Sequence, residues 1–430
     1  MIMKRNDGKS LAKACALFFA AGVMLSACGA NNGDDDDGAR ATGGSSGSGG
    51  TAPTGGTATG GTAPTGGTAP TGGTATGGTA PTGGSGGATT GGTGATGKGG
   101  SGGAPTGTDL WVSPTGVDTN PGTEAAPLLT LTRANLLARA GSTIWVTAGT
   151  FTYNATQDLT QTGTAQAPIK LWAVEGTRPV IDFANQARAS SARGVELTGN
   201  YWHIRGLELK NAGDNGILIS GSNNTVENVI THHNGDTGIQ ITVSEGQATL
   251  ATLGANNTIL NCDSYENFDA MTNGENADGF AAKLRIGAGN VFRGCRAWNN
   301  ADDGYDFFAA DDVVVLENCW AFLNGRVASG GNSAGDGNGF KLGGEPAGTG
   351  QGDAPHRLTN CAAFENRSCG FTRNNNADSP VLMTCGVGNN GNDDYCDDLA
   401  TCSPEYDVSV AGAMAKTMAR NADGSLPSIQ

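Results

Sequence analysis

Five cysteines, Cys262, Cys295, Cys319, Cys361 and Cys385, are each followed five residues later by an asparagine: Asn267, Asn300, Asn324, Asn366 and Asn390. Neighbouring cysteines stand 24 residues apart twice, and 33 or 42 apart where the chain carries an insertion. Turn glycines run in step with them at Gly216, Gly238, Gly279, Gly304, Gly339 and Gly370, with Asn234, Asn300 and Asn366 four residues ahead of three of these. Short runs such as GILISG, GIQITV and VVVLENC alternate with Asn/Gly/Asp turns, and the one helical pattern is LTRANLLARAG near the start of the folded part. A unit of 22–25 residues with stacked Cys and Asn columns predicts an all-β solenoid, a parallel β-helix with a short N-terminal capping helix.

Stacking at ~4.8 Å also decides how the cysteines are read. A thiol column repeated coil after coil predicts small, reduced core side chains packed in line. Cys396 and Cys402 fall outside the column and could form a bridge.

The same register gives geometry to a crowded acidic stretch, NNADDGYDFF at 299–308. The residue before each turn glycine reads Thr237, Asp278, Asp303, Asn338, so Asp278 and Asp303 should lie one coil apart, with Asp302 in the same turn. Two residues after the glycine the column reads Gln240, Ala281, Asp306, Lys341, Thr372, which stacks Lys341 on Asp306. Phe280, Tyr305 and Phe340 lie between them and should face inward, leaving Asp306 and Lys341 outward.

Bare carboxylates this close repel, so they must share a proton or a cation. Four aspartates, Asp278, Asp302, Asp303 and Asp306, form an oxygen set suited to Ca²⁺ in number and flexibility. Lys341 has an ordinary role as ion-pair partner of Asp306. It also has a chemical one, because a cation and a partly enclosed groove disfavour the ammonium form and make neutral amine available as a base.

The rest of the chain sets the surroundings. Residues 1–27 have a basic start, a short apolar run and small residues ending in LSAC, read as a bacterial lipoprotein signal peptide with Cys28 as the lipidated mature N-terminus. Residues 28–107, dominated by repeats of TAPTGG and TATGG, lack the large apolar side chains of a core and are read as a flexible tether. Glycine does not recur at every third position, so collagen is excluded. The β-helix is placed at 108–412 and a C-terminal tail at 413–430. A net charge of −15 argues against nucleic acid as a partner. The expectation is a monomer, lipid-anchored outside the cytoplasm at the cell envelope or surface, or released from it.

Here the residues meet a family. WVSPTGVDTNPGTEAAP, ENADGFAAKL, NNADDGYDFF and GDGNGFKLGG occur in the order in which they stand in the right-handed parallel β-helix pectate lyases of polysaccharide lyase family nine, which the chain resembles from about Leu110 to Tyr406. The resemblance implies Ca²⁺ held by Asp278, Asp302, Asp303 and Asp306, Lys341 as catalytic base, and polygalacturonate cleaved by β-elimination. A β-helix polyuronate hydrolase would need one carboxyl as acid and another to activate water, and leaves Lys341 without a task. A non-catalytic surface module binding pectate through Ca²⁺ is the alternative from another class.

Lys283, on the coil of Asp278, either contacts substrate or is an ordinary surface lysine. Arg373, one coil past Lys341, is placed to pair with a uronate carboxylate or to face solvent. His232 and His233 are neighbours on a strand, and alternation should point them apart. Trp298 and Trp320 occupy columns expected of core or flanking aromatics.

Overall fold

The computed structural model describes residues 107–242, 254–327, 331–344 and 352–430. The leader, Cys28 and all of the tether but its last residue lie outside the described residues.

Two bends per coil are made by one device. A residue in the left-handed region precedes each cysteine-column position: Asn228, Asn261, Gly294, Asn318, Asn360 and Thr384, with φ between 51° and 64°. Another precedes each ladder asparagine: His233, Glu266, Asn299, Leu323 and Glu365, with φ between 53° and 60°. Asparagine and glycine tolerate this conformation, which explains Asn299 and all of the first set but Thr384, whereas the remaining residues are held against their preference by the stacked ladder beside them.

Between the bends run three ladders of parallel strands. One passes through Trp202–Arg205, Thr225–Glu227, Thr258–Leu260 and Asn290–Arg293, and a second through Glu208–Lys210, Ile230–His232, Asp263–Tyr265 and Arg296–Trp298. Both continue into the long strands Arg357–Phe364 and Val381–Gly388. The third ladder is a separate nine-stranded sheet from Gln157–Leu159 to Tyr395–Cys396. The all-β solenoid expected from the repeat is the observed fold.

The core follows the columns. Each Asn234, Asn267, Asn300, Asn324 and Asn366 donates from Nδ2 to the Oδ1 of the next asparagine at 2.9–3.1 Å. A second set, Asn224, Asn257 and Asn290, links backbone N–H to the next side-chain oxygen at 3.0 Å; sequence reading had not singled it out. Phe280, Tyr305, Phe340, Phe371 and Tyr395 stack at 4.7–5.6 Å between ring centroids, and the first four are fully buried. Burying a side chain of this size contributes roughly 1.5–3 kcal/mol.

At its N-terminal end the sheet is closed by the helix Leu131–Leu137, capped by Thr130 Oγ1 accepting from Arg133 N. Asn135 Oδ1 and Thr132 Oγ1 take the backbone N–H groups of Thr160, Gln161 and Asp158, donors that an open edge would leave bare. The capping-helix expectation holds.

Two cysteine expectations are corrected. Cys262, Cys295, Cys319 and Cys361 are free and buried as expected, but Cys385 is bonded to Cys402, and Cys396 to Cys369 rather than to Cys402. The coil after Cys385 puts Glu405 in register with it, so the thiol column has no next rung and Cys385 meets a loop cysteine instead. Cys396 stacks on Thr372, which brings it beside the turn that carries Cys369.

The C-terminal residues return along the outside. Trp298, Trp320, Phe322 and Phe364 form an outer apolar cluster with Ala415 and Ile429, while Arg420 reaches Asp263 at 2.6 Å. The two tryptophans are therefore flanking aromatics covered by the tail. His233, by contrast, does not alternate with His232: its left-handed backbone turns the ring back, and the two Nδ1 atoms lie 2.6 Å apart.

Candidate active site

Strands of only two or three residues carry the site, each preceded by a tight turn. In the third ladder Gln240 pairs with Ala281, Ala281 with Asp306, Asp306 with Lys341 and Lys341 with Thr372, the register expected from the glycines. Inward aromatic neighbours force Asp306 and Lys341 away from the core. They point outward, yet are only 1 % and 3 % exposed.

Each turn aspartate is held by the coil beside it. Asp278 Oδ1 accepts from Asp303 N at 3.1 Å, and Asp278 Oδ2 accepts from Thr237 Oγ1 at 3.1 Å. Asp303 Oδ1 accepts from Asn338 N at 2.6 Å, Asp302 Oδ2 from Asn276 N at 2.9 Å, and Asp306 Oδ1 from Phe308 N at 3.0 Å. Backbone donors thus fix the carboxylates without neutralising them.

Ligand oxygens of Asp278, Asp302 and Asp303 all lie within 4.8 Å of one another, and the three side chains are buried. At such a distance two carboxylates repel by about 3 kcal/mol for an effective dielectric of ~20. Burial, above all, pushes the Asp278 carboxyl well above the ordinary value, with Asp306 and Asp302 adding to the effect against Lys283. Asp303 is likewise pushed up by burial first and by the Asp302 charge second. Asp303 Oδ2 receives no hydrogen bond and has Lys341 Nζ 3.8 Å away.

Those observations fit a hard cation. The donors are all oxygen, one buried oxygen lacks a hydrogen bond, and crowded, buried carboxylates need a neutralising proton or cation. Asp306 stands apart from the trio of ligand atoms, with its Oδ2 3.4 Å from Lys283 Nζ.

Lys341 Nζ lies 3.2 Å from Asp336 Oδ2, on an exposed side chain, and 5.6 Å from the Phe308 ring centroid. Asp336 escaped sequence reading, although it stands in the same GDGNGFKLGG motif as the lysine and its charge was a usable signal. The surface reading of Lys283 is corrected. It is fully buried, with Nζ 3.2 Å from Asp278 Oδ2, because the chain leaves its strand at Ala282 and the side chain turns onto the carboxylates. Arg373 is half-buried on the coil beyond Lys341, and its buried Nε has no hydrogen-bond partner.

With the site in view, known proteins can be set beside it. Residues 110–400 match the family model described as the Pel9A-like, right handed beta helix region. "Pectate lyase L" of Paenibacillus polymyxa (strain SC2) is 40% identical over 298 residues, covering 67% of this chain and 65% of the relative. The protein of the same name from Dickeya chrysanthemi is 38% identical over 282 residues, covering 64% and 63%. This chain therefore spans just under two thirds of the length of those relatives. The crystal structure of pectate lyase Pel9A superposes with a TM-score of 0.61 at 33% identity, over 75% of this chain and 88% of that one. The coils, their hand and the order of the ladders thus have one source: the chain belongs to the Pel9A-like right-handed β-helix family.

Proposed function

We propose that the protein is a calcium-dependent pectate lyase that cleaves α-1,4-linked polygalacturonate by β-elimination. The observation that carries this reading is the stacking of Lys341 on Asp306, beside the buried trio Asp278, Asp302 and Asp303, in a chain whose relatives bear the name pectate lyase.

Asp278, Asp302 and Asp303 would hold the Ca²⁺, with Asp306 within reach of the same turn. Bound there, Ca²⁺ supplies Lewis-acid stabilisation of the negative charge that builds on the substrate carboxylate. Lys341, as free amine, takes the proton from C5; the electron pair becomes the C4–C5 double bond, and the C4–O bond breaks with the oxygen leaving on the departing sugar. The backbone donors of Asp303 and Asn338 and the hydroxyl of Thr237 hold the carboxylates in place, so little reorganisation is needed during reaction. Arg373, with its buried and unbonded Nε, is assigned to a neighbouring uronate carboxylate.

Elimination leaves a conjugated double bond on the new non-reducing end, and hydrolysis does not. Ultraviolet absorbance developing on mixing the protein with polygalacturonate and Ca²⁺ is the expected result. New reducing ends without that absorbance would mean a hydrolase, and binding with no product would mean a pectate-binding module.

We further infer export and lipid anchoring through Cys28, on the strength of the LSAC sequence and the glycine-rich tether behind it. Replacing Cys28 by alanine should move the protein from the detergent to the aqueous phase in a Triton partition. Unchanged partition would remove the anchor from the account.

A further inference from the structure

Lys283 has no task in the elimination, yet it is among the most enclosed side chains of the molecule. Its ammonium bridges two coils, 3.2 Å from Asp278 Oδ2 on its own coil and 3.4 Å from Asp306 Oδ2 on the next, with the lysine side chain 1 % exposed. Taking an ammonium out of water costs several kcal/mol unless charge meets it, and here two carboxylates do. One of these, Asp278, belongs to the trio whose oxygens converge, and both belong to the set proposed above to surround the cation. A lysine and a divalent ion are thus offered overlapping oxygens.

We propose that Lys283 is a resident counter-cation: it neutralises Asp278 and Asp306 when no divalent ion is bound, and yields at least one of them when the ion arrives. Its role is then to set how tightly Ca²⁺ is held and to keep the emptied site folded, rather than to touch the sugar. This rests on the reading that the aspartates hold Ca²⁺. The chain supplies the means for it, since Asp306 is fixed independently of the lysine through Phe308 N.

The sign of one change separates this from a merely structural role. A lysine that only positions the aspartates would, on removal, loosen the site and weaken Ca²⁺ binding. A competing charge would, on removal, tighten it.

The test is calorimetric titration of Ca²⁺ into the chelator-treated full chain, wild type against Lys283→Met and Lys283→Gln, with melting followed in chelator and in saturating Ca²⁺. Both variants should bind Ca²⁺ about tenfold more tightly, melt earlier than wild type in chelator, and melt like wild type with Ca²⁺. Wild-type protein that binds Ca²⁺ while the variants bind it equally or more weakly overturns the proposal. So does a variant that stays unfolded in saturating Ca²⁺, because the ion should replace the missing charge. Absence of Ca²⁺ binding in the wild type would instead fail the underlying reading, and the titration tells the two apart.

Discussion

Two polar ladders climb the same solenoid with the same rise, and they end in opposite states. Along the asparagine ladder from Asn234 to Asn390 each side chain donates to the next and accepts from the last, so the column is complete without outside help. The stacked aspartates Asp278 and Asp303 have the same neighbour relation but bring only acceptors when ionised. Backbone N–H groups hold them, lysines meet part of their charge, and the rest is left to a proton or, on the reading proposed here, to Ca²⁺. An amide column is a frame because it is self-complementary; a carboxylate column is a site because it is not.

Breaking the carboxylate column should therefore cost activity before stability. Chelation should abolish turnover, and Asp303→Ala should raise the Ca²⁺ needed for half-maximal rate by about tenfold or more, through loss of a charged ligand. The fold should survive, since a repelled charge leaves with the side chain. Calcium titration of the rate beside a thermal melt checks both halves, and full turnover in excess chelator would contradict the assignment.

Breaking the amide column should do the reverse. Asn300→Ala strips an acceptor from Asn267 and a donor from Asn324 in a buried column, where an unsatisfied polar group costs about 1–3 kcal/mol. Urea unfolding should register a loss of that size or somewhat more, with kcat for the folded fraction near wild type.

A smaller effect sharpens the contrast with a polar group that is satisfied on one side only. His356 accepts from Val314 N through Nδ1, its Nε2 is buried without a partner, and burial pushes its pKa down to about 3. Folded His356 thus stays neutral where the unfolded residue takes up a proton. Its contribution is present above the unfolded value of about 6.5 and is lost as pH falls toward the folded one, at up to about 1.4 kcal/mol per pH unit. Stability of the calcium-loaded protein measured by urea at pH 7 and pH 5 should fall, and the fall should shrink in His356→Gln. An equal fall in both would assign the pH dependence elsewhere.

How much of this was legible in the sequence follows from the repeat. The Cys, Asn and aromatic columns, the pairing of Asp306 with Lys341 and the stacking of Asp278 on Asp303 all come from adding one coil length to a residue number, because parallel in-register strands preserve position. Where the repeat lapses, so does the reading. Cys402, the partner of Cys385, lies in an irregular segment near the end of the solenoid, and the returning tail that covers Trp298 and Trp320 has no register at all. Lys283 and His233 were misjudged for a related reason: one lies just past a strand end and the other in a left-handed bend, and both escape alternation.

The central claim, that the carboxylate column is an eliminating site with Lys341 as its base, is tested most directly by kcat of Lys341→Ala on polygalacturonate with saturating Ca²⁺, followed by absorbance of the unsaturated product across several pH values. The lysine stacks on Asp306 and faces Asp303 and Asp336, so its removal should lower kcat by roughly 10²–10⁴-fold while leaving the melting temperature and pectate binding near wild type. A variant that forms the same product at a comparable rate with the same pH profile would contradict the account.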